Sequence, residues 1–111
     1  MGYSRAVRVG QYVFVGGTAP VMPEGGEPPA DAHGQAVRCL EIIVDALREA
    51  GAEPEHVVRT RIFATDAEDF DEIARAHDAV FHDVRPASTC VLVELLDPRW
   101  RVEIEAEALI L

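Results

Sequence analysis

The chain has 111 residues, 49% of them hydrophobic, which predicts one globular domain over residues 1–111 and excludes a disordered chain. Its formal net charge is -10, and all ten basic residues are arginine, which argues against a nucleic-acid partner. The absence of lysine excludes Schiff-base and P-loop lysine chemistry, and no apolar run is long enough to span a bilayer.

The start of the chain shows no secretory leader, so we expect a cytoplasmic protein with no membrane partner. Its two cysteines, Cys39 and Cys90, lack CxxC spacing and predict small buried side chains without a disulfide. The four histidines match no paired zinc pattern. We therefore expect no metal site and no cofactor.

The first half of the chain predicts a hairpin, a loop and a helix. Val7 to Val15 is apolar around a central Gly10-Gln11, which predicts two strands and a two-residue turn, ended by Gly16-Gly17. Residues 18–34 are dense in proline and glycine and predict a loop, for which a solvated crossover is favoured over a functional role. Apolar residues then recur with helical spacing from Gln35 to Ala50.

The second half predicts three strands and a second helix. Val57 to Thr65 is rich in β-branched residues and predicts a strand, after which Asp66 caps a helix that ends before Pro86. His77 lies in the apolar stripe of this helix, so we expect it to be packed and hydrogen-bonded. Residues 85–111 predict two strands joined by a tight turn and lying opposite each other.

The resulting order, β-β-α-β-α-β-β, predicts an α+β fold with two helices packed on one face of a single mixed sheet. The other face combines apolar and charged residues. On the third predicted strand, Arg59, Arg61 and Phe63 alternate with Val58 and Thr60. Such a face suits either solvent or a subunit interface with a polar pocket, and residue types alone leave both open.

The last predicted strand carries Glu103, Glu105 and Glu107 in alternation. One glutamate in a partly desolvated pocket has a raised pKa and can position a water molecule. The alternative is that the row is the wet side of a strand and pairs with arginines such as Arg61 and Arg101. On the pattern alone, pairing is favoured.

Four segments, taken together, resemble the Rid family (reactive intermediate deaminase, or YjgF family, which includes RidA), and the resemblance covers nearly the whole chain. The resemblance implies a chorismate-mutase-like fold and a homotrimer with clefts between neighbouring subunits. It also implies cofactor-free hydrolysis of enamines and imines to a 2-keto acid and ammonia. The segments are GYSRAVRVGQYVFVGG at 2–17, VVRTRIFATDAEDF at 57–70, RPASTCV at 85–91 and VEIEAEA at 102–108.

The same resemblance assigns three retained site residues. Tyr3 corresponds to the family's cleft tyrosine, and Cys90 corresponds to the cysteine whose backbone faces the ligand. Glu103 corresponds to the glutamate that orients the attacking water, which makes it the expected catalytic residue of this deaminase.

The resemblance also shows departures from the family pattern. Ser88 stands where the family has its carboxylate-binding arginine, and Gly16 stands where it has a serine. Because a serine hydroxyl cannot replace a bidentate guanidinium, we expect an altered substrate. Arg61 and Arg101 are the candidates to reach the cleft from another strand.

The expected function is therefore a hydrolase of imines, enamines or related small reactive metabolites. The alternative is a non-catalytic module of the same fold that binds a small metabolite or a protein partner. An RNA-cleaving role is the least favoured, because the chain is strongly acidic and lacks lysine.

Overall fold

The computed structural model describes residues 1–111, and its elements follow the predicted order, so the α+β prediction is confirmed. Short 3-10 turns at Pro54–His56 and Ala67–Asp69 precede the third strand and the second helix. The main elements are β1 (Ala6–Val9), β2 (Tyr12–Thr18), α1 (Ala32–Glu49), β3 (Val57–Ala64), α2 (Phe70–Phe81), β4 (Ala87–Leu92) and β5 (Val102–Leu109).

The five strands form one mixed sheet in the order β1-β2-β5-β3-β4, in which only the β3–β4 pair is parallel. Both helices pack on the same face, as predicted, and the core lies between them and the sheet. Along β5 every second residue from Val102 to Ala108 is buried, while the intervening glutamates are only partly covered. This alternation defines a helix-covered face and an open face of the sheet.

The predicted hairpin is present, with Val9 paired to Tyr12 across the Gly10-Gln11 turn. Gly10 has φ +61°, a conformation that glycine adopts without strain. The prediction that Gly16-Gly17 ends the second strand is wrong, because β2 continues to Thr18. The two glycines instead lie at a register shift, where a strand tolerates an irregular backbone.

Helix α1 begins at Ala32, earlier than the predicted Gln35. Asp31 is its N-cap and accepts a hydrogen bond at 2.9 Å from the backbone N–H of Gly34. Asp66 caps the second helical segment as predicted, since its carboxylate accepts a hydrogen bond from the N–H of Glu68. A 3-10 turn follows Asp66 before α2 begins.

The two closing strands are not joined by a tight turn and do not lie side by side. Residues 93–101 connect them, and β3 lies between β4 and β5 in the sheet. Because β3, α2 and β4 form a parallel crossover unit, β4 joins the far side of β3. At this edge all six residues of β4 are exposed, so the prediction of a buried Cys90 is wrong, whereas Cys39 is buried.

The inward positions of β3 also differ from the prediction at its first residues. The register with β5 shifts between Val57 and Arg59. As a result Val57 is buried and Val58 is 48% exposed, although Val58 was expected on the core face. A bulge inserts one extra residue and moves the preceding side chains to the opposite face.

Candidate functional site

The glutamate row of β5 divides into paired and unpaired members. Arg61 Nη1 on the neighbouring β3 donates to Glu105 Oε1 at 2.8 Å and lies 3.3 Å from Glu107 Oε1. These carboxylates raise the pKa of the Arg61 guanidinium. The pairing interpretation therefore describes Glu105 and Glu107.

Glu103, the remaining member, forms no side-chain hydrogen bond and no ion pair, and it is partly buried on the open face of the sheet. Burial, the largest cause, raises the pKa of its carboxyl group. The charge of Arg5 opposes this rise and that of Glu105 adds to it. Glu103 is thus a desolvated carboxylate with free acceptor positions.

Gly17 provides the space that the Glu103 side chain occupies. A Cβ atom at Gly17 would overlap Glu103 Oε2, so any side chain there would displace the carboxylate. A Cβ at the adjacent Gly16 would meet only the backbone oxygens of Ser4 and Arg5 at 3.7 Å. The lack of a side chain at Gly17, and not at Gly16, therefore allows the observed position of Glu103.

The N-terminal segment runs beside the same glycines. The N–H of Gly16 donates to the carbonyl of Arg5 at 2.9 Å, and Arg5 Nη1 donates to the carbonyl of Gly17 and to Thr18 Oγ1. Tyr3 lies two residues before Arg5 and is 71% exposed. Gly16 and Glu103 thus lie in the same part of the fold as the segment that follows Tyr3.

Ser88 and Cys90 belong to a different region. In the β3–β4 register they pair with Thr60 and Ile62, which are buried on the helix-covered face. Both line an open groove of about 610 Å³ between α2 and β4. Although Cys90 is exposed, partial desolvation in the groove raises the pKa of its thiol, which disfavours the thiolate.

A chain of three polar side chains closes the floor of this groove. Thr60 Oγ1 lies 2.8 Å from Ser88 Oγ and 2.9 Å from His77 Nε2. His77 also packs against the ring of Phe81, so the prediction of a packed and hydrogen-bonded histidine is confirmed. Burial lowers the pKa of His77, which favours a neutral imidazole at pH 7.

The two arginines expected to reach the cleft are already bound to carboxylates. Arg101 holds Asp69 through Nε and Nη2 at 3.0 and 2.9 Å, and Arg61 holds the glutamates of β5. Neither lines the groove beside Ser88. The arginine that lines this groove is Arg85. The sequence reasoning missed it, although it directly precedes Pro86.

The candidate residues therefore form two groups on opposite faces of the sheet. Glu103 is on the open face, level with Phe63, whereas Ser88 and Cys90 face the helix side. One chain by itself does not bring Glu103 and Ser88 to a common ligand.

No group of three or more histidine, cysteine, aspartate or glutamate side chains is arranged to hold a metal ion. Neither helix has the length and apolar character needed to cross a membrane.

A five-stranded mixed sheet with two helices on one face and a partly buried carboxylate on the other defines an α+β protein of the chorismate-mutase-like type. The chain belongs to the Ribonuc_L-PSP family, described as Endoribonuclease L-PSP, whose model matches residues 1–110. The resemblance to the Rid, or YjgF, proteins is thereby confirmed.

Three relatives illustrate the match. The chain is 34% identical over 109 residues to the 2-iminobutanoate/2-iminopropanoate deaminase of Escherichia coli, covering 96% of this chain and 85% of that protein. A YjgF/YER057c/UK114 family structure from Mycobacterium tuberculosis has 40% identity and a TM-score of 0.89, covering 98% and 87% of the two chains. Escherichia coli TdcF with bound serine has 33% identity and a TM-score of 0.90, with coverages of 98% and 87%.

Proposed function

We propose that this chain is a single-domain, cytoplasmic, cofactor-free hydrolase of imines or enamines, in which Glu103 orients the attacking water. The observation that carries this proposal is the difference within the glutamate row. Glu103 alone has no partner and a carboxyl pKa raised by burial. Membership of the family that includes an iminobutanoate deaminase supports an imine deaminase in general terms.

In this reaction water adds to the imine carbon, and the resulting carbinolamine releases ammonia and leaves a ketone oxygen. The Glu103 carboxylate accepts a hydrogen bond from the water and takes its proton as the carbon–oxygen bond forms. A raised pKa makes the carboxylate a better base near neutral pH. The proton then passes from Glu103 to the departing nitrogen, and the carbinolamine hydroxyl releases its own proton to solvent as the C–N bond breaks, so the glutamate is regenerated.

The proposed site lies between copies of the chain. Since Glu103 and Ser88 lie on opposite faces of one sheet, a ligand that touches both must lie between two subunits. In the proposed homotrimer, Tyr3, Gly16 and Glu103 of one copy face the groove of Ser88 and Cys90 of the next. The exposed apolar residues of the open face, including Val7, Val9, Tyr12 and Phe14, support such an assembly.

The proposed preference among imines and enamines differs from that of the best-known family members. Ser88 takes the place of the family's arginine, and Gly16 takes the place of its serine. These departures also favour a second candidate, a module that binds a small metabolite without turnover. An RNA-cleaving role receives no support from a net charge of -10.

The proposal is tested by generating 2-aminoacrylate with a dehydratase and measuring the acceleration of keto-acid and ammonia release. We expect Glu103→Gln to abolish the acceleration. Glu105→Gln is the matched control, since it removes a carboxylate from the same strand and face, and it should retain most activity. Equal activity in wild type and Glu103→Gln would refute the role of Glu103. Saturable ligand binding without turnover across a panel of imines would favour the binding module.

A further inference from the structure

The groove between α2 and β4 contains several polar groups that no other element covers. Ser88 and Cys90 form its strand side, while His77, Asp78 and His82 belong to its helix side. The Oδ1 of Asp78 lies 2.9 Å from His82 Nδ1, so the two groups satisfy each other. Their interaction raises the pKa of His82 and favours the ion pair.

Arg85 is the one arginine at this groove, and it has no partner. Seven of the ten arginines donate side-chain hydrogen bonds to carboxylates, hydroxyls or backbone carbonyls. Arg59, Arg75 and Arg85 donate none, and of these only Arg85 lines the groove. An exposed unpaired arginine does not by itself indicate a binding site, so the backbone and the neighbours of Arg85 must supply the evidence.

The backbone of Arg85 is strained. Its φ is +56°, and it is the only non-glycine residue with a positive φ. Glycine or asparagine would adopt this conformation at lower cost. The N–H of Arg85 donates to the carbonyl of Phe81 at 2.9 Å, and Pro86 restricts the backbone of Arg85, the residue before it, so the side chain starts from a fixed point at the groove. Strain at a residue that projects into a groove is typical of functional positions.

The hydroxyl of Ser88 is arranged as a hydrogen-bond donor toward the same space. Thr60 Oγ1 and Ser88 Oγ lie 2.8 Å apart, and when Thr60 is the donor the proton of Ser88 is left for a ligand. His77 Nε2, 2.9 Å from Thr60 Oγ1, supplies the donor that Thr60 then accepts, in the tautomer with a proton on Nε2. In this tautomer, the chain from His77 through Thr60 to Ser88 leaves the Ser88 proton available to a ligand in the groove.

We propose that Arg85 and Ser88 together bind the carboxylate of the ligand, with Arg85 as the residue that determines specificity for an acid over a neutral analogue. The ligand class, a 2-imino acid and its 2-keto acid product, rests on the proposed function. The carboxylate accepts from the Arg85 guanidinium and from the Ser88 hydroxyl, while the Asp78 carboxylate of the same groove is paired with His82.

The test is a titration of the assembled protein with 2-oxobutanoate, followed by calorimetry, and a parallel titration with the neutral 2-oxobutanamide. We expect Arg85→Ala to raise the Kd for the acid by roughly ten- to a hundredfold, as for loss of a charged hydrogen bond, and to leave the amide unchanged. Arg85→Gly, which relieves the positive φ, should fold at least as well and bind equally poorly. Arg75→Ala, an unpaired arginine on α2 outside the groove, is the matched control and should bind as wild type.

Two results overturn the assignment: unchanged binding of 2-oxobutanoate by Arg85→Ala and Arg85→Gly, or no binding of it by wild type at millimolar concentration. The outcome is separable from the proposed function. If wild type and the Arg85 variants turn over imino acids equally well, this assignment is wrong and the hydrolase proposal is retained. Arg85-dependent binding without any turnover rejects the hydrolase and supports the carboxylate site.

Discussion

At the residue scale, three glutamates of one strand have different chemistry because their neighbours differ. Arg61 lies directly across from Glu105 and also reaches Glu107, so its one positive charge is shared between the two carboxylates. Glu103 lies across from Phe63, which offers no hydrogen-bond donor. The position of one arginine thus decides which carboxylate is left free.

We expect Gly17→Ala to lower the proposed imine hydrolysis by about a hundredfold, because the new methyl group displaces the Glu103 carboxylate and a shift of about 1 Å in a catalytic group has such an effect. The fold should be retained, since the overlapping atom is the end of a flexible side chain. The measurement is kcat/KM alongside thermal unfolding. Gly26→Ala, which adds a methyl group in open space, is the control, and equal activity of both variants would contradict the prediction.

A second residue-scale prediction concerns stability and pH. The folded state raises the pKa of Glu103 above its ordinary value of 4.5, so the unfolded state releases this proton first as pH rises. Ionisation of the buried carboxyl therefore lowers the free energy of unfolding at neutral pH. We expect Glu103→Gln to be more stable than wild type at pH 7.5, with the difference vanishing below pH 4.5.

Urea denaturation over this pH range measures the effect. Glu105→Gln, which loses the ion pair with Arg61, should show no gain at pH 7.5. A gain in Glu103→Gln that persists unchanged in acid would show that ionisation is not its cause.

At the scale of elements, β3 connects the two layers at the groove. Thr60 is fully buried on this strand and links β4, through Ser88, to α2, through His77. It therefore holds the exposed edge strand against a helix that covers it only in part. A buried hydroxyl with two partners is costly to remove because both partners lose a hydrogen bond.

We expect Thr60→Val, which keeps the shape of the side chain, to lower the free energy of unfolding by about 1–3 kcal/mol. Chemical denaturation measures this change. Thr89→Val is the control because Thr89 is exposed on β4, and its change should stay within about 0.5 kcal/mol. Equal effects of the two substitutions would mean that the polar chain contributes little.

At the scale of the whole molecule, the open face of the sheet is the feature that requires a partner. Exposed Tyr12 and Phe14 stack on this face with ring centroids 6.2 Å apart, beside exposed Val7 and Val9. Apolar groups of this kind are stabilised when another subunit removes them from water. The same contact would bring the two groups of site residues together.

We therefore expect the protein in solution to have three times the 12.1 kDa mass of the chain, as measured by light scattering. Phe14→Arg should shift the mass toward that of one chain, because it places a charge in the proposed interface. Val37→Arg, at a partly exposed position on α1, should leave the mass unchanged. A wild type with the mass of one chain would refute the assembly and the cleft built on it.

The sequence by itself determined the order of elements, the hairpin turn and the helix-covered side of the sheet. Its periodicities report which face of each element is apolar, and that depends on residues close in the chain. The alternation of β5 and the helical stripe containing His77 are examples, and both are present in the structure. The family resemblance came from four segments, and their order and spacing are also properties of the sequence alone.

Only the tertiary structure decided which strands are neighbours and which charges are paired. The placement of β3 between β4 and β5 puts Ser88 and Glu103 on opposite faces, and the bulge after Val57 exposes Val58. The tertiary structure also pairs Arg61 and Arg101 with carboxylates and leaves the Arg85 side chain unpaired at the groove. Strand order and ion pairing depend on contacts between distant parts of the chain, which local patterns do not encode.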